Sequence, residues 1–236
     1  MQKVHCEWGL NGVELLRERC AVLVIVDVLS FSTAVDVAVH RHAAIHPFAY
    51  GDEDAARDEA ARLGVRLAAS RRAGGQLSLS PTSLMKLNPG ERLLLPSPNG
   101  SRLSLAGGRA KVIAGCLRNA KAVATKALDL AAGRDIAVIP AGERWGDGSL
   151  RPAIEDLIGA GAIIAALDLP GEPEAGVARD AYLSAHTRLA ETIRASRSGQ
   201  ELIEREHALD VDIAVELNVS RCAPLLTNGA YQDAAA

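Results

Sequence analysis

Three polar segments of this sequence follow strand-like apolar runs and carry side chains able to bind a phosphate or a cation. The first begins at Asp27, after the run from Leu23 to Val26, and continues through Ser30, Ser32 and Thr33. A carboxylate at a strand end can hold a metal or act as base or nucleophile, and hydroxyl and N–H groups at a helix start can cradle a phosphate. The same residues could instead only cap the next helix, so this segment alone leaves both interpretations open.

The second segment is SPNGS, residues 97–101. Asn-Gly is a turn signal in its own right, so taken alone this segment is typical of a simple turn. The functional interpretation places Asn99, Gly100 and Ser101 beside Asp27, where they would hold a phosphate.

The third segment is GERWGDG, residues 142–148, and it is followed by a Glu-Asp pair at the start of the next predicted helix. Carboxylate oxygens of this kind suit magnesium, and the glycines allow the backbone to approach a ligand. The pair could also be ordinary solvated helix acids, but the neighbouring loop acids favour a metal or anion site. We predict Asp27, Glu143 and Asp147 as catalytic residues, Arg144 as a substrate ligand, and Asp27, Glu155 and Asp156 as metal ligands.

A basic segment stands apart from these three. Arg71 and Arg72 precede Gly74 and Gly75 within a long irregular region, residues 70–90. Such a segment can form an anion clamp, or it can be a solvated basic turn.

Strand and helix patterns alternate along the chain, which predicts a three-layer α/β/α fold with a mixed, mostly parallel sheet. The crevice is expected at the carboxyl ends of the strands that precede Asp27, Ser97 and Ala141. Predicted strands cover residues 23–26, 45–50, 92–95, 111–114, 135–140 and 212–226, with a weaker candidate at 65–69. Predicted helices cover residues 34–39, 52–63, 116–132, 149–167 with Ser149 as N-cap, 180–196 and 200–208.

The chain of 236 residues suits one α/β domain, residues 1–236, with a possible C-terminal subdomain from residue 180 after a linker at 168–179. A net charge of −3 and 3% aromatic residues give no support to nucleic acid or an anionic membrane as partner. We expect a cytoplasmic protein, possibly a homodimer, with reduced thiols at its four widely spaced cysteines: Cys6, Cys20, Cys116 and Cys222.

Several common sites are disfavoured by motif. The sequence has no HExxH, no GxGxxG and no GxxxxGK[ST], which argues against zinc hydrolases, dinucleotide sites and P-loops. Leu29 stands two residues after Asp27, where the DxDxT hydrolases have a second aspartate.

Four stretches, in order, resemble the 2-phosphosulfolactate phosphatase family: VIVDVLSFSTAVDVA at 24–38, SPNGS at 97–101, CLRNA at 116–120 and PAGERWGDGSLRPAIEDLIGAGAII at 140–164, with a weaker likeness at 209–226. The resemblance implies Mg²⁺-dependent hydrolysis of a small phosphorylated 2-hydroxy acid in coenzyme M synthesis. It also places Asn119, in the third stretch, among the substrate ligands.

Two departures from the family pattern bear on the substrate. Ser30 stands where the family usually has arginine, and the Gly-Glu-Arg and Asn-Ser-Pro segments read SRRAGG at 70–75 and LSP at 79–81. We therefore predict that Arg71 or Arg72 replaces the missing arginine. A phosphatase with a changed substrate, or a non-catalytic binder of a phosphorylated or sulfonated metabolite, remains open, as does the choice between water attack and a phospho-enzyme.

Overall fold

The computed structural model describes residues 1–49, 51–71 and 76–234. The strands in these ranges are β1 (Val4–Cys6), β2 (Val22–Val26), β3 (Ala44–Ala49), β4 (Arg66–Leu67), β5 (Arg92–Ser97), β6 (Lys111–Gly115), β7 (Ile136–Pro140), β8 (Glu143–Arg144), β9 (Leu150–Arg151), β10 (Pro224–Thr227) and β11 (Ala230–Asp233). The α-helices are α1 (Gly9–Leu16), α2 (Phe31–His40), α3 (Glu53–Leu63), α4 (Pro81–Leu84), α5 (Gly100–Leu105), α6 (Ala120–Ala131), α7 (Ile154–Leu167), α8 (Pro173–Ala185), α9 (Leu189–Ala195), α10 (Arg197–Glu204) and α11 (Ala208–Ala214).

Nine of the described strands form one mixed sheet in the order β1-β7-β2-β6-β10-β11-β3-β5-β4. The pairs β1–β7, β7–β2, β2–β6, β3–β5 and β5–β4 are parallel, and the hairpin β10–β11 joins the two parallel groups through antiparallel pairs. The mixed, mostly parallel sheet predicted from the sequence is confirmed.

The β2 strand is buried on both faces, which explains its unbroken apolar sequence. On one face Val24 and Val26 pack with α6 and α7 residues such as Ile163. On the other face Ile25 packs with Phe31 of α2. Helices therefore cover both faces of the sheet, as the three-layer prediction requires.

The sheet is strongly curved and twisted. Four strands lie between β2 and β5, so a flat sheet would keep the two about 24 Å apart at ~4.8 Å per strand. Yet the backbone N–H of Gly100, just after β5, lies 2.9 Å from Oδ2 of Asp27, just after β2. The curvature therefore brings together strand ends that belong to opposite halves of the sheet.

The predicted helix start was wrong near the third polar segment. Ser149 is not a helix N-cap, because residues 143–151 form the β8–β9 hairpin and α7 begins only at Ile154. Pro152, which a helix starting after Ser149 would have in its first turn, therefore precedes α7. The turn at residues 97–101 is also the start of a helix, α5, which the sequence patterns did not indicate.

The C-terminal third differs most from the sequence prediction. The expected linker at 168–179 contains the start of α8, the expected helix 180–196 is split into α8 and α9, and the expected strand 212–226 contains the end of α11 and most of β10. Residues of this part, such as Ala178, Ile193 and Val211, pack in the same core cluster as β2.

The four cysteines are free thiols and are buried. In the described ranges, every helix is too short or too polar to span a bilayer.

Candidate active site

Asp27 lies at the end of β2 and joins the starts of two helices. Its Oδ1 accepts the N–H of Phe31 at 3.1 Å, and its Oδ2 accepts the N–H of Gly100 at 2.9 Å. Position 100 must be glycine, since a Cβ there would lie 2.2 Å from the Phe31 ring. Burial, and to a lesser extent the charge of Glu155, outweigh the two N–H groups and raise the pKa of Asp27 to about 6.

The three predicted phosphate-binding hydroxyls beside Asp27 are fully buried and bond to the backbone. The hydroxyl of Ser32 donates to Ile25 O at 2.9 Å, that of Thr33 to Val28 O at 2.8 Å, and that of Ser101 to Leu95 O at 2.9 Å. These hydroxyls therefore fix the turns that carry Asp27 and Asn99, and they do not face the crevice.

Asn119 has a similar internal role. It is fully buried at the end of β6, where its Oδ1 accepts the N–H of Cys116 at 2.9 Å and its Nδ2 donates to Ala114 O at 3.3 Å. Both ends of the amide are thus used to shape the turn into α6, which does not fit the predicted contact with substrate.

Asp156, in the first turn of α7, ties the first polar segment to the third. Its Oδ1 accepts the N–H of Val28 at 2.7 Å, and its Oδ2 accepts the N–H of Gly142 at 2.9 Å. Gly142 has φ +68, a conformation that favours glycine. Burial, followed by the charges of Asp27 and Glu155, raises the pKa of Asp156 well above its usual value.

Glu143 and Asn99 meet at the mouth of the crevice. Asn99 Nδ2 donates to Glu143 Oε2 at 2.9 Å. Burial, followed by the charge of Asp27, raises the pKa of Glu143 to about 7. Both side chains line an open cavity of about 380 Å³ between α1 and the β8–β9 hairpin, and Arg102 and Arg144 also line it.

Glu155 completes a group of four acids. It is 2% exposed, and its charge raises the pKa of Asp27, Glu143 and Asp156. We call these four residues the carboxylate cluster. No three His, Cys, Asp or Glu side chains of the described residues converge closely enough to enclose a metal ion by themselves.

Two predicted residues of the third segment form hydrogen bonds within the β8–β9 turn. Asp147 is exposed in the turn between β8 and β9, where its Oδ1 accepts the N–H of Ser149 at 2.9 Å and its hydroxyl at 2.6 Å. The guanidinium of Arg144 donates to Gly148 O at 3.0 Å in the same turn. The catalytic prediction for Asp147 does not fit this position, because its carboxylate serves the hairpin turn.

Arg71 reaches the crevice from the irregular region. Its Nη2 donates to Ser30 Oγ at 2.6 Å and to Leu79 O at 3.1 Å. Burial lowers the pKa of Arg71, while the charges of Asp210, Asp27 and Glu143 raise it. Arg72, the alternative predicted clamp residue, lies outside the described residues, as do Gly74 and Gly75.

Comparison with known proteins identifies the family. A sequence profile described as 2-phosphosulpholactate phosphatase matches residues 13–229. The protein named 2-phosphosulfolactate phosphatase from Methanothermobacter thermautotrophicus (strain Delta H) is 31% identical over 219 residues, covering 90% of this chain and 89% of that protein. This chain belongs to the 2-phosphosulfolactate phosphatase family. It is a phosphoric monoester hydrolase of that family, which confirms the resemblance in the sequence.

For this member of the 2-phosphosulfolactate phosphatase family, the structure brings together most of the predicted site. Contacts of 2.6–3.1 Å link residues from all three polar segments and the basic segment. The residues gathered in this way are Asp27, Ser30, Arg71, Asn99, Gly100, Glu143 and Asp156, with Glu155 buried beside them. Their catalytic and binding roles stay predictions.

Sequence reasoning missed one side chain at this site of the phosphatase. Asp210, on α11, is 1% exposed and lies 3.7 Å from the Arg71 guanidinium. The segment around it was predicted to lie at or near a strand, so nothing pointed toward the crevice. Placing 208–214 in a helix would have put Asp210 on the same side as Val211 and Ala214, which pack in the core.

Proposed function

We propose that this chain hydrolyses the phosphate monoester of 2-phosphosulfolactate to sulfolactate and phosphate, with Mg²⁺ as cofactor. The observation that carries the proposal is the carboxylate cluster at the strand ends, three of whose four members are buried, with the Arg71 guanidinium 2.6 Å from Ser30. The relative from Methanothermobacter thermautotrophicus, whose name gives this substrate, supports the same reaction.

The donor chemistry of the carboxylate cluster fits Mg²⁺. Burial and mutual repulsion raise the pKa of Asp27, Glu143 and Asp156. A bound cation would offset this repulsion and stabilise the ionised carboxylates. Mg²⁺ usually takes one or two carboxylates and completes its shell with water and substrate phosphate. Glu155 would hold it together with Asp27 or Asp156, because each oxygen of these two aspartates accepts one backbone N–H group and keeps a second lone pair. When bound, Mg²⁺ neutralises charge on the phosphate oxygens and polarises the phosphorus.

Glu143 is the proposed proton-transfer group. A carboxyl group with a pKa of about 7 is partly protonated at neutral pH, which suits a general acid. Asn99 holds its Oε2, which leaves Oε1 to give a proton to the leaving alkoxide oxygen. Whether water or a carboxylate attacks first is tested by rapid-quench labelling with radioactive phosphate, which detects a phospho-enzyme.

Arg71 is proposed to bind the acidic end of the substrate. A substrate with a phosphate and a second acid group needs a cation besides Mg²⁺, and Ser30 does not supply the arginine usual at its position. The placement of Arg71 against Ser30 puts a guanidinium where that arginine's side chain would begin. A charge-assisted hydrogen bond there contributes roughly 1.5–3 kcal/mol.

A substrate panel tests the proposal. Phosphate release is measured for 2-phosphosulfolactate, phospholactate and phosphoglycerate, each with and without Mg²⁺. We expect the highest kcat/KM for 2-phosphosulfolactate, and only with Mg²⁺. A higher kcat/KM for another member would replace the substrate assignment, and micromolar binding without any release would make the chain a binding protein.

Three accompanying expectations go with this proposal. The chain would act in coenzyme M synthesis, in the cytoplasm, and as a homodimer. Cell fractionation and sedimentation of the purified protein test the last two.

A further inference from the structure

Asp210 links the C-terminal part of the chain to the segment that follows Arg71. Its Oδ1 accepts hydrogen bonds from the hydroxyl of Ser80 at 2.6 Å, the hydroxyl of Thr82 at 2.6 Å and the N–H of Thr82 at 3.1 Å. About 130 residues separate the partners in sequence. One carboxylate oxygen thus fixes the segment at residues 80–82 to α11.

The second oxygen of Asp210 is left for Arg71. Within the described residues, Oδ2 is buried without a hydrogen-bond partner. The guanidinium Nη2 of Arg71 lies 3.7 Å from this oxygen, and the imidazole Nδ1 of His207 lies 3.9 Å from it. An ionised oxygen in a buried position is costly unless a positive charge lies beside it.

Arg71 has an unused donor of its own. Its Nη2 is engaged by Ser30 and Leu79, but its Nε is buried and has no hydrogen-bond partner among the described residues. A buried N–H without an acceptor is what an anionic ligand would satisfy. The guanidinium is therefore held by the protein through Nη2, while its Nε donor is left without a hydrogen-bond partner among the described residues.

We propose that Asp210 is a positioning residue for the substrate, because its Oδ2 charge holds the Arg71 guanidinium against Ser30 and so places the unpartnered Nε donor for the substrate's acidic group. The inference rests on the proposed role of Arg71 in substrate binding. It makes α11, from the C-terminal third, a required part of the binding site.

A simpler possibility is that Asp210 only anchors residues 80–82. The two roles use different oxygens, so variants separate them. Asp210→Asn keeps an Oδ1 acceptor for Ser80 and Thr82 but removes the charge that faces Arg71. Asp210→Glu restores the charge. Asp212→Asn is the matched control, since Asp212 lies on the same helix and pairs on the surface with Arg194.

The experiment is a double-mutant cycle. KM and kcat for 2-phosphosulfolactate and the Kd of sulfolactate by calorimetry are measured for wild type, Asp210→Asn, Arg71→Ala and the double variant. We expect Asp210→Asn to raise KM and Kd about tenfold with kcat within about twofold. The double variant should bind no worse than Arg71→Ala alone, because the two residues act as one unit. Asp210→Glu should recover part of the affinity, and Asp212→Asn should match wild type.

The outcomes distinguish this inference from its premise. Additive losses in the double variant, or an unchanged KM and Kd in Asp210→Asn, would overturn the positioning role. Unchanged affinity in Arg71→Ala would overturn the proposed role of Arg71 and the inference with it. If wild type released no phosphate from 2-phosphosulfolactate, the proposed reaction would fail, while the sulfolactate Kd cycle would still report whether Asp210 and Arg71 are coupled. Thermal unfolding measures whether each variant is folded. If Asp210→Asn is unfolded, the KM and Kd of Asp210→Glu, alone and combined with Arg71→Ala, take its place in the cycle.

Discussion

The two sides of the crevice are built in different ways. On the acidic side, Asp27 and Asp156 each have both oxygens held by backbone N–H groups of neighbouring loops. On the cationic side, Arg71 is held through a side-chain contact to Ser30, a single carbonyl and the charge of Asp210. The acidic side therefore depends on the path of the main chain, and the cationic side mainly on pairs of side chains.

This difference indicates which side can change within a family. Every residue except proline has a backbone N–H group, so the hydrogen-bond partners of Asp27 and Asp156 depend little on the side chains of the neighbouring loops. A guanidinium can be supplied from any segment that reaches the crevice. That is consistent with the departure at Ser30, where the usual arginine is absent and Arg71 lies in contact instead.

Among the changes that test this comparison of the two sides, the largest effect is expected from breaking the acidic side with Asp156→Ala. Two buried N–H groups, on Val28 and Gly142, lose their acceptor, so the free energy of unfolding should fall by about 2–4 kcal/mol. Phosphate release should fall more than about a hundredfold, because these loops carry Asp27 and Glu143. Urea unfolding and a phosphate assay measure both, with Asp129→Ala on the exposed face of α6 as control. A stable and active Asp156→Ala variant would contradict the role of Asp156 in holding the first and third polar segments together.

A tenfold effect is expected from moving the arginine on the cationic side. In the Arg71→Ala background, Ser30→Arg should recover about tenfold in kcat/KM, since the new guanidinium starts from the residue that Arg71 contacts at 2.6 Å. Ser30→Arg alone should raise KM, because two guanidinium groups would crowd one buried position. Steady-state kinetics of the three variants measure this, and no recovery in the double variant would show that the arginines are not interchangeable.

The smallest effect is a pH-dependent stability difference in Glu143→Gln. The pKa of Glu143 is raised from 4.5 to about 7, so the folded state binds this proton more tightly than the unfolded state. Its contribution to stability is full below about pH 4.5 and is lost as the pH rises through about 7. Without divalent cations, Glu143→Gln should therefore be more stable than wild type at pH 8, on the order of 2 kcal/mol, and equal to it near pH 4.5. A stability difference that does not vary with pH in urea titrations would contradict the assigned shift.

Strand-end reasoning predicted the acidic side well. Asp27 and Glu143 follow β2 and β7, which are parallel neighbours, so their loops share a sheet edge. Asn99 lies beside them because the sheet is curved: it follows β5, which belongs to the other half of the sheet. The strand patterns in the sequence did not indicate this curvature. The two halves of the sheet are joined by the long-range pairing of β10 with β6 and of β11 with β3. A short stretch of sequence does not indicate such pairing.

Small polar side chains were predicted less well. Ser32, Thr33, Ser101 and Asn119 stand at the right strand ends, but their polar groups bond to the backbone of the turns. Their residue types fit both a ligand and a turn. The direction in which a hydroxyl points is decided by packing, so sequence position alone could not separate the two.

Helix α11 shows why Arg71 was predicted on the cationic side and Asp210 was not. Residues 209–216 read LDVDIAVE, with an apolar residue at every second position, a pattern typical of a strand. The chain forms α11 instead, which buries Asp210, Val211 and Ala214. A helix packed on the core overrides the alternation, and it carries Asp210 to Arg71 from far along the chain.

The most direct test is phosphate release from 2-phosphosulfolactate with Mg²⁺ by wild type and by Asp27→Asn. The carboxylate of Asp27 lies at the centre of the cluster, so we expect kcat to fall by about a thousandfold while the variant stays folded. Asp135→Asn, before β7 and paired with His5, should keep kcat near the wild-type value. A folded Asp27→Asn enzyme with full activity would contradict the assignment of the carboxylate cluster as the active site.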